Sequence, residues 1–216
     1  MKSRKEGAPA SAPAYYPGMV AGVILAAGRS SRMGRSKALL RQIQSGHSFV
    51  SHLIKVAGGA GLSPILVVGR PEDAELRSAI GGTAAVFIPN PDADRGQLSS
   101  LLAGLAAAEG AGADGVMVMP VDVPLISTGA LTSLLRAAES PRARIVRAAY
   151  QGRHGHPVLF TRSVFEELRA ADPAEGARAV VRAHPSRVVD VEVADAGVTL
   201  DIDTPADYLR AFGRKL

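Results

Sequence analysis

The chain has 216 residues, enough for one good-sized domain with a full hydrophobic core; it is 47% apolar but only 4% aromatic and lacks tryptophan, so that core must be aliphatic. It has no cysteine, which excludes a disulfide framework, a thiolate metal site and a cysteine nucleophile, and no apolar run approaches the ~20 residues of a membrane helix. The formal charge of +5 could suit nucleic acid, but the basic residues are dispersed, without a Lys/Arg block or interleaved aromatics, and small phosphorylated ligands explain the balance as well.

Met1–Gly18 reads as a tail. Lys2, Arg4 and Lys5 charge it, and Ala8–Tyr16 is rich in Pro, Ala and Ser with no apolar h-region, so a secretory signal is not expected and disorder is. Residues 19–216 are expected to form a single domain, in the cytoplasm. From Val20 onward, strand-like and helix-like stretches alternate. The sequence predicts strands at Val20–Leu25, Pro64–Val68, Ala84–Ile88 and Gly115–Met119, and helices at Ser48–Gly61, Pro71–Ile80, Gln97–Ala108 and Ser127–Ala138. Gly58, Gly59 and Gly61 mark the end of the first helix. This alternation predicts a mostly parallel sheet covered by helices, an α/β three-layer sandwich. Beyond it, Arg144–Tyr150 and Pro157–Thr161 read as strands bracketing a polar loop, Gln151–His156.

Five stretches bear on chemistry. In Gly22–Lys37, the buried-strand run Val23-Ile24-Leu25 gives way to Ala26, Ala27, Gly28, Ser30, Ser31 and Gly34, with Arg29, Arg32, Arg35 and Lys37 interspersed. Small residues let backbone approach a ligand, glycine permits turns that aim N–H groups at an anion, and open α/β sheets bind ligands at strand C-termini. This is a phosphate cradle, but neither of the common ones. A P-loop needs Gly-Lys-Ser/Thr contiguous, and the dinucleotide fingerprint needs a third glycine directly after the strand.

Asn90 to Ser100 leads from a strand into a helix, placing Ser99 and Ser100 near a helix N-terminus, suited either to capping or to polar ligands. Pro120-Val121-Asp122-Val123-Pro124 puts a carboxylate at a strand's C-terminal end, as a hard oxygen ligand for Mg²⁺ or as a turn aspartate. His154 and His156 sit two apart, but no cysteine or nearby carboxylate completes a zinc site. Finally, Thr204-Pro205 fits a helix start, with Asp201 and Asp203 just before it.

The pattern Leu25-Ala26-Ala27-Gly28-x-Ser30-x-Arg32-Met33-Gly34-x-x-Lys37 resembles the signature loop of the GT-A-like (Rossmann-like) nucleotidyltransferases, and most closely that of the molybdenum cofactor cytidylyltransferases and their relatives (the MobA/MocA type). The family also has an Asn-Pro…Gly…Ser stretch, an Asp-x-Pro, a Gly-His-Pro and a closing Asp-Ile-Asp-Thr-Pro-x-Asp-Tyr, all present here in order, so the resemblance spans Gly22–Tyr208. It implies transfer of CMP from CTP to the phosphate of molybdopterin, with pyrophosphate released. It further implies nucleotide binding by Leu25, Ala26, Ala27, Gly28, Arg32, Lys37, Ser99, Ser100 and Asp122, and catalysis by Arg32, Lys37 and Asp122. Asp122 and Asp203 would bind Mg²⁺ or Mn²⁺, with Asp201 a weaker match. Gly155, His156, Pro157 and Arg178 would face the acceptor, and a recipient molybdoenzyme is an implied partner. The family's guanylyl-transferring branch has Leu-Ala-Gly-Gly where this chain has Leu-Ala-Ala-Gly, so Ala27 implies cytidine. Two alternatives stand beside this expectation: a nucleotidyltransferase acting on a sugar, alcohol or polyol phosphate, and a catalytically silent nucleotide-binding or cofactor-escort protein.

Overall fold

The computed structural model describes residues 18–42, 45–183 and 185–216, so all of the expected tail but Gly18 lies outside it. Its sheet contains β1 (Val20–Leu25), β2 (Ile65–Gly69), β3 (Ala85–Pro89), β4 (Gly115–Pro120), β5 (Ile145–Tyr150), β6 (Arg153–Thr161) and β7 (Val188–Glu192), in the order β3-β2-β1-β4-β6-β5-β7. All pairings are parallel except those of β6, which runs against both β4 and β5. β1, β2 and β4 are buried at every residue, as continuous apolar strands inside a covered sheet should be.

Each face of the sheet carries its own core. Side chains alternate, so Ile24, Val67, Met117, Met119, Val146 and Leu159 point to one face. There they meet α1 (Phe49–Gly59), α2 (Ala74–Ile80), α4 (Thr128–Ala137) and α7 (Pro205–Phe212). Val23, Leu25, Val68, Val118, Val158 and Phe160 point to the other, against α3 (Gln97–Gly110), α5 (Phe165–Ala170) and α6 (Ala177–Ala183). The three-layer α/β sandwich expected from the sequence is therefore what forms. α3 lies so close to the sheet that a Cβ at Gly104 would run into the Val23 side chain. No helix among the described residues is long and apolar enough to cross a membrane.

The helices begin and end where local chemistry says they should. Ser48, Asp73 and Ser127 cap α1, α2 and α4 by accepting a backbone N–H, and Gly61 turns at φ +83° just after α1. The expected loop Gln151–His156 is shorter than its polarity suggests. Gln151 (φ +49°) and Gly152 (φ +73°) alone form a tight turn, and Arg153–His156 belong to β6, with Tyr150 opposite Arg153 and Ala149 opposite His154.

Candidate active site

The parallel strands end along one edge of the sheet, and the loops leaving them meet there. The loop after β1 folds on itself: Ser30, at φ +50°, accepts from Met33 and Gly34 through its carbonyl, while its hydroxyl accepts from the Lys37 backbone N–H at 3.1 Å. Gly34 sits at φ +72°, a conformation a side chain would strain, and buried Met33 pins the loop to the core. Arg29, Arg32 and Arg35 are left exposed around it.

This folding aims Lys37 inward. Its side chain is only 12% exposed, and its ammonium lies between two carboxylates far away in sequence. Nζ donates to Asp122 Oδ2 at 3.2 Å and also to Asp203 Oδ1. Arg32 Nη2 reaches the second oxygen of Asp203 at 3.2 Å. Lys37 and Arg32 hold the Asp203 carboxyl below the usual carboxylate range, with the Lys37 hydrogen bond the largest cause. Asp201 moves the other way. Partial desolvation raises its carboxyl first, and the charges of Asp122 and Asp203 add to that.

Two local devices fix Asp203. A capping box opens α7: Thr204 accepts from the Asp207 N–H, and Asp207 accepts in return from the backbone of Thr204. Asp207 also accepts from the Asp203 N–H at 3.2 Å. One residue earlier, Ile202 N–H donates to the Asp122 carbonyl at 2.7 Å, so the segments carrying the two carboxylates are joined directly. Further along α7, Tyr208 and Phe212 pack on Phe49 of α1, and the Tyr208 hydroxyl donates to the Arg41 carbonyl at 2.6 Å.

The Gly-His-Pro segment lies at the start of β6, antiparallel to β4 and so beside the end that bears Asp122. Gly155 is a steric necessity, because a Cβ there would strike the Val198 carbonyl. His156 is half-buried, and its Nδ1 is sealed from water with no partner among the described residues. Burial lowers its pKa to about 4, Asp122 opposing and Arg178 reinforcing the shift. Arg178, in the first turn of α6, is near enough for its charge to act on both His156 and Asp201. His154 does not join His156. It points to Asp190, with Nε2 3.3 Å from Oδ2, and Arg147 grips the same carboxylate with two hydrogen bonds.

Other expected nucleotide-side residues are placed differently. Leu25, Ala26 and Ala27 are buried and Gly28 is exposed. The hydroxyls of Ser99 and buried Ser100 both accept from the Asn90 side-chain amide, at 3.0 and 2.9 Å, and thereby brace the loop after β3. Sequence reasoning missed a cluster beside them. Asp94 accepts bidentately from Arg29 (2.9 and 2.6 Å) and from Arg70 (2.6 Å), and Arg70 Nε donates to the Ala27 carbonyl at 3.0 Å. The loops after β1, β2 and β3 are thus linked through one carboxylate, whose acidity the two guanidiniums strengthen. No motif announces this cluster, since its members come from three separate loops.

A basic small-residue loop at the end of β1, facing paired carboxylates from the end of β4 and the start of α7, defines an α/β nucleotidyltransferase. The chain belongs to the MobA-like NTP transferase domain family, which matches residues 22–188. It is 32% identical over 199 residues to purine catabolism protein PucB of Bacillus subtilis (87% of this chain, 93% of that protein). A probable molybdenum cofactor guanylyltransferase of Opitutus terrae is 34% identical over 130 residues, covering 60% of this chain and 61% of the relative. A 2-C-methyl-D-erythritol 4-phosphate cytidylyltransferase of Cereibacter sphaeroides is 29% identical over 213 residues (88% and 94%). Among solved structures, Rv0371c of Mycobacterium tuberculosis superposes with a TM-score of 0.75 at 29% identity, over 91% of this chain and 99% of that one. A complex of Rv0371c with manganese gives a TM-score of 0.68 at 28% identity, over 90% and 98%.

Proposed function

We propose that the chain transfers the CMP moiety of CTP to the terminal phosphate of molybdopterin, releasing pyrophosphate, and that residues 19–216 act as one catalytic domain. The observation that carries the reading is the convergence of Asp122 and Asp203 on the ammonium of Lys37, with Arg32 at the outer side of Asp203. A cation position bounded by two hard carboxylates fits Mg²⁺ or Mn²⁺, which keep further positions for phosphate oxygens and water. The manganese complex of Rv0371c supports a divalent ion here. When bound, that ion supplies Lewis-acid polarisation of the α-phosphate.

The remaining steps belong to the protein's own side chains. Lys37 and Arg32, freed from the carboxylates, hold the triphosphate and offset the charge that accumulates on pyrophosphate as it leaves. A phosphate oxygen of the acceptor attacks the α-phosphorus, the new P–O bond forms as the bond to pyrophosphate breaks, and no proton need be abstracted. Catalysis is then mainly alignment. His156, neutral near pH 7, and Arg178 border the acceptor on the β6 side. Leu25, Ala26, Ala27 and Gly28 border the nucleotide, with Ser99 and Ser100 bracing the loop beside it. The Ala27 methyl favours a pyrimidine over guanine. A recipient molybdoenzyme follows as the downstream partner.

The similarity to a cytidylyltransferase named for methylerythritol phosphate favours a second acceptor class, a polyol phosphate. One experiment separates the readings: pyrophosphate release measured with the four nucleoside triphosphates against Mo-bound molybdopterin, methylerythritol phosphate and common sugar phosphates. Turnover only with CTP and molybdopterin is the expected result. Preference for GTP would overturn the base assignment, preference for a polyol or sugar phosphate the acceptor, and release with none of them the enzymatic reading.

A further inference from the structure

The loop that presents Asp122 is held mostly through its carbonyls. The Asp122 carbonyl accepts from Ile202 N–H, and that of Ile126 lies 3.2 Å from His52 Nε2 on α1. The Leu125 carbonyl packs so tightly on Gly197 that a Cβ there would strike it. Between them, the Pro124 carbonyl accepts from the side-chain amide of Gln42 at 2.6 Å. Gln42 is 4% exposed, one of very few buried polar side chains among the described residues. Its other side-chain atom, Oε1, accepts from Ser45 Oγ at 3.1 Å. Its backbone is tied as well, N–H to the His47 carbonyl and carbonyl to the Gly46 N–H, each at 2.9 Å.

Gln42 stands five residues after Lys37, on the segment that continues the cation-bearing loop, and it reaches the segment that carries Asp122. A buried amide is costly unless its bonds are made, and a leucine of similar size would fill the space without that cost. What a leucine cannot do is set the distance between the two loops. We propose that Gln42 is a positioning residue that holds the Asp122 carboxylate in register with Lys37 and Asp203 for binding the divalent ion. This rests on the metal reading above. Groups that orient metal-binding carboxylates change metal affinity or activity about 10- to 100-fold when removed.

The test is Mn²⁺ binding, followed by electron paramagnetic resonance with saturating CTP and, in a parallel arm, GTP, alongside melting temperature. Gln42→Met keeps the volume and removes the donor; His52→Leu strips a similar bond from the same loop, four residues past Asp122. Gln42→Met should weaken Mn²⁺ about tenfold, at the low end of that range. His52→Leu should lower the melting temperature comparably and leave Mn²⁺ affinity as in the parent. If Gln42→Met does not fold, Gln42→Glu, which keeps the shape but sets a carboxylate against the Pro124 carbonyl, should give the same weakening. Unchanged Mn²⁺ affinity in a folded Gln42 variant overturns the proposal alone. Binding in Asp122→Asn as tight as in the parent overturns the metal reading and this proposal with it.

Discussion

From β1 to β4 the strands run parallel and helices cover them in turn, whereas beyond β4 the chain doubles back and β6 runs against both neighbours. The first part offers the loop ends that suit a triphosphate: N–H-rich turns, arginines and Lys37. The second brings the start of a strand, His156, to the same edge, together with Arg178 from α6. An all-parallel continuation would have set a strand's C-terminal end and its loop where the Gly-His-Pro segment now stands. The antiparallel insertion places a stiff, nearly loop-free wall there instead. On the proposed reading, one half wraps the nucleotide and the other presents a shaped surface to the acceptor.

The largest effect should come where the halves meet. Asp122→Asn leaves both folded but removes the shared carboxylate, and kcat/KM should fall by about a thousandfold, the several kcal/mol that metal assistance supplies. Its melting temperature should move little, since the side chain is 34% exposed and carries little packing. A variant with near-parental turnover would show that the halves do not cooperate through this residue.

Next comes the packing of the parallel half. Gly104→Val would thrust a branched side chain into Val23 and Val68, and overpacking of this kind costs about 1–3 kcal/mol of stability. Thermal or denaturant melting measures it, and an unchanged midpoint would mean that α3 can ride off the sheet freely.

Base selection is a finer probe of the same half. Ala27→Gly should lower the ratio of kcat/KM for CTP to that for GTP by about tenfold, within the 10- to 200-fold that one methyl group can discriminate. The same ratio measured with a different acceptor should shift equally. A shift that depends on the acceptor would show that the halves are coupled in specificity.

The antiparallel half supplies a test of its own, confined to acid pH. The His156 pKa lies below that of an unfolded histidine, so protonation favours the unfolded chain. The stabilising contribution is complete above the unfolded pKa near 6.5 and is lost as pH falls from there to about 4. At about 1.4 kcal/mol per pKa unit, discounted because the ring is only half-buried, this amounts to roughly 2 kcal/mol. His156→Gln should flatten stability against pH over that window in urea titrations. A slope as steep as the parent's would assign the acid sensitivity to other groups.

How much of this was legible in sequence follows the same division. Each strand from β1 to β4 is a short apolar run with its own punctuation, and Lys37, Asp122 and Asp203 each sit inside a compact motif whose position at an element's end could be read directly; β7 (Val188–Glu192), with two acidic residues and no buried one, was not read as a strand. The hairpin was harder. His154, Gly155 and His156 look like loop because no apolar residue alternates among them, yet His154 pairs with Ala149 of β5 and the strand runs on through Gly155 and His156, past an irregularity in the β5 ladder. Gly155 is absent of side chain because Val198 needs the space, a reason that lies 43 positions away. Gln42, and the set of Arg29, Arg70 and Asp94, were invisible for the same cause. Their meaning comes from partners on other loops, which no local pattern encodes.

The placement of Asp203 has a bearing on synthesis. Every strand of the sheet precedes α7 in the chain. A nascent chain can therefore display the basic loop and Asp122 while it still lacks the helix whose capping box and aromatic side chains fix the second carboxylate. On the proposed reading, the two carboxylates come together around Lys37 only once α7 has emerged from the ribosome and docked on α1.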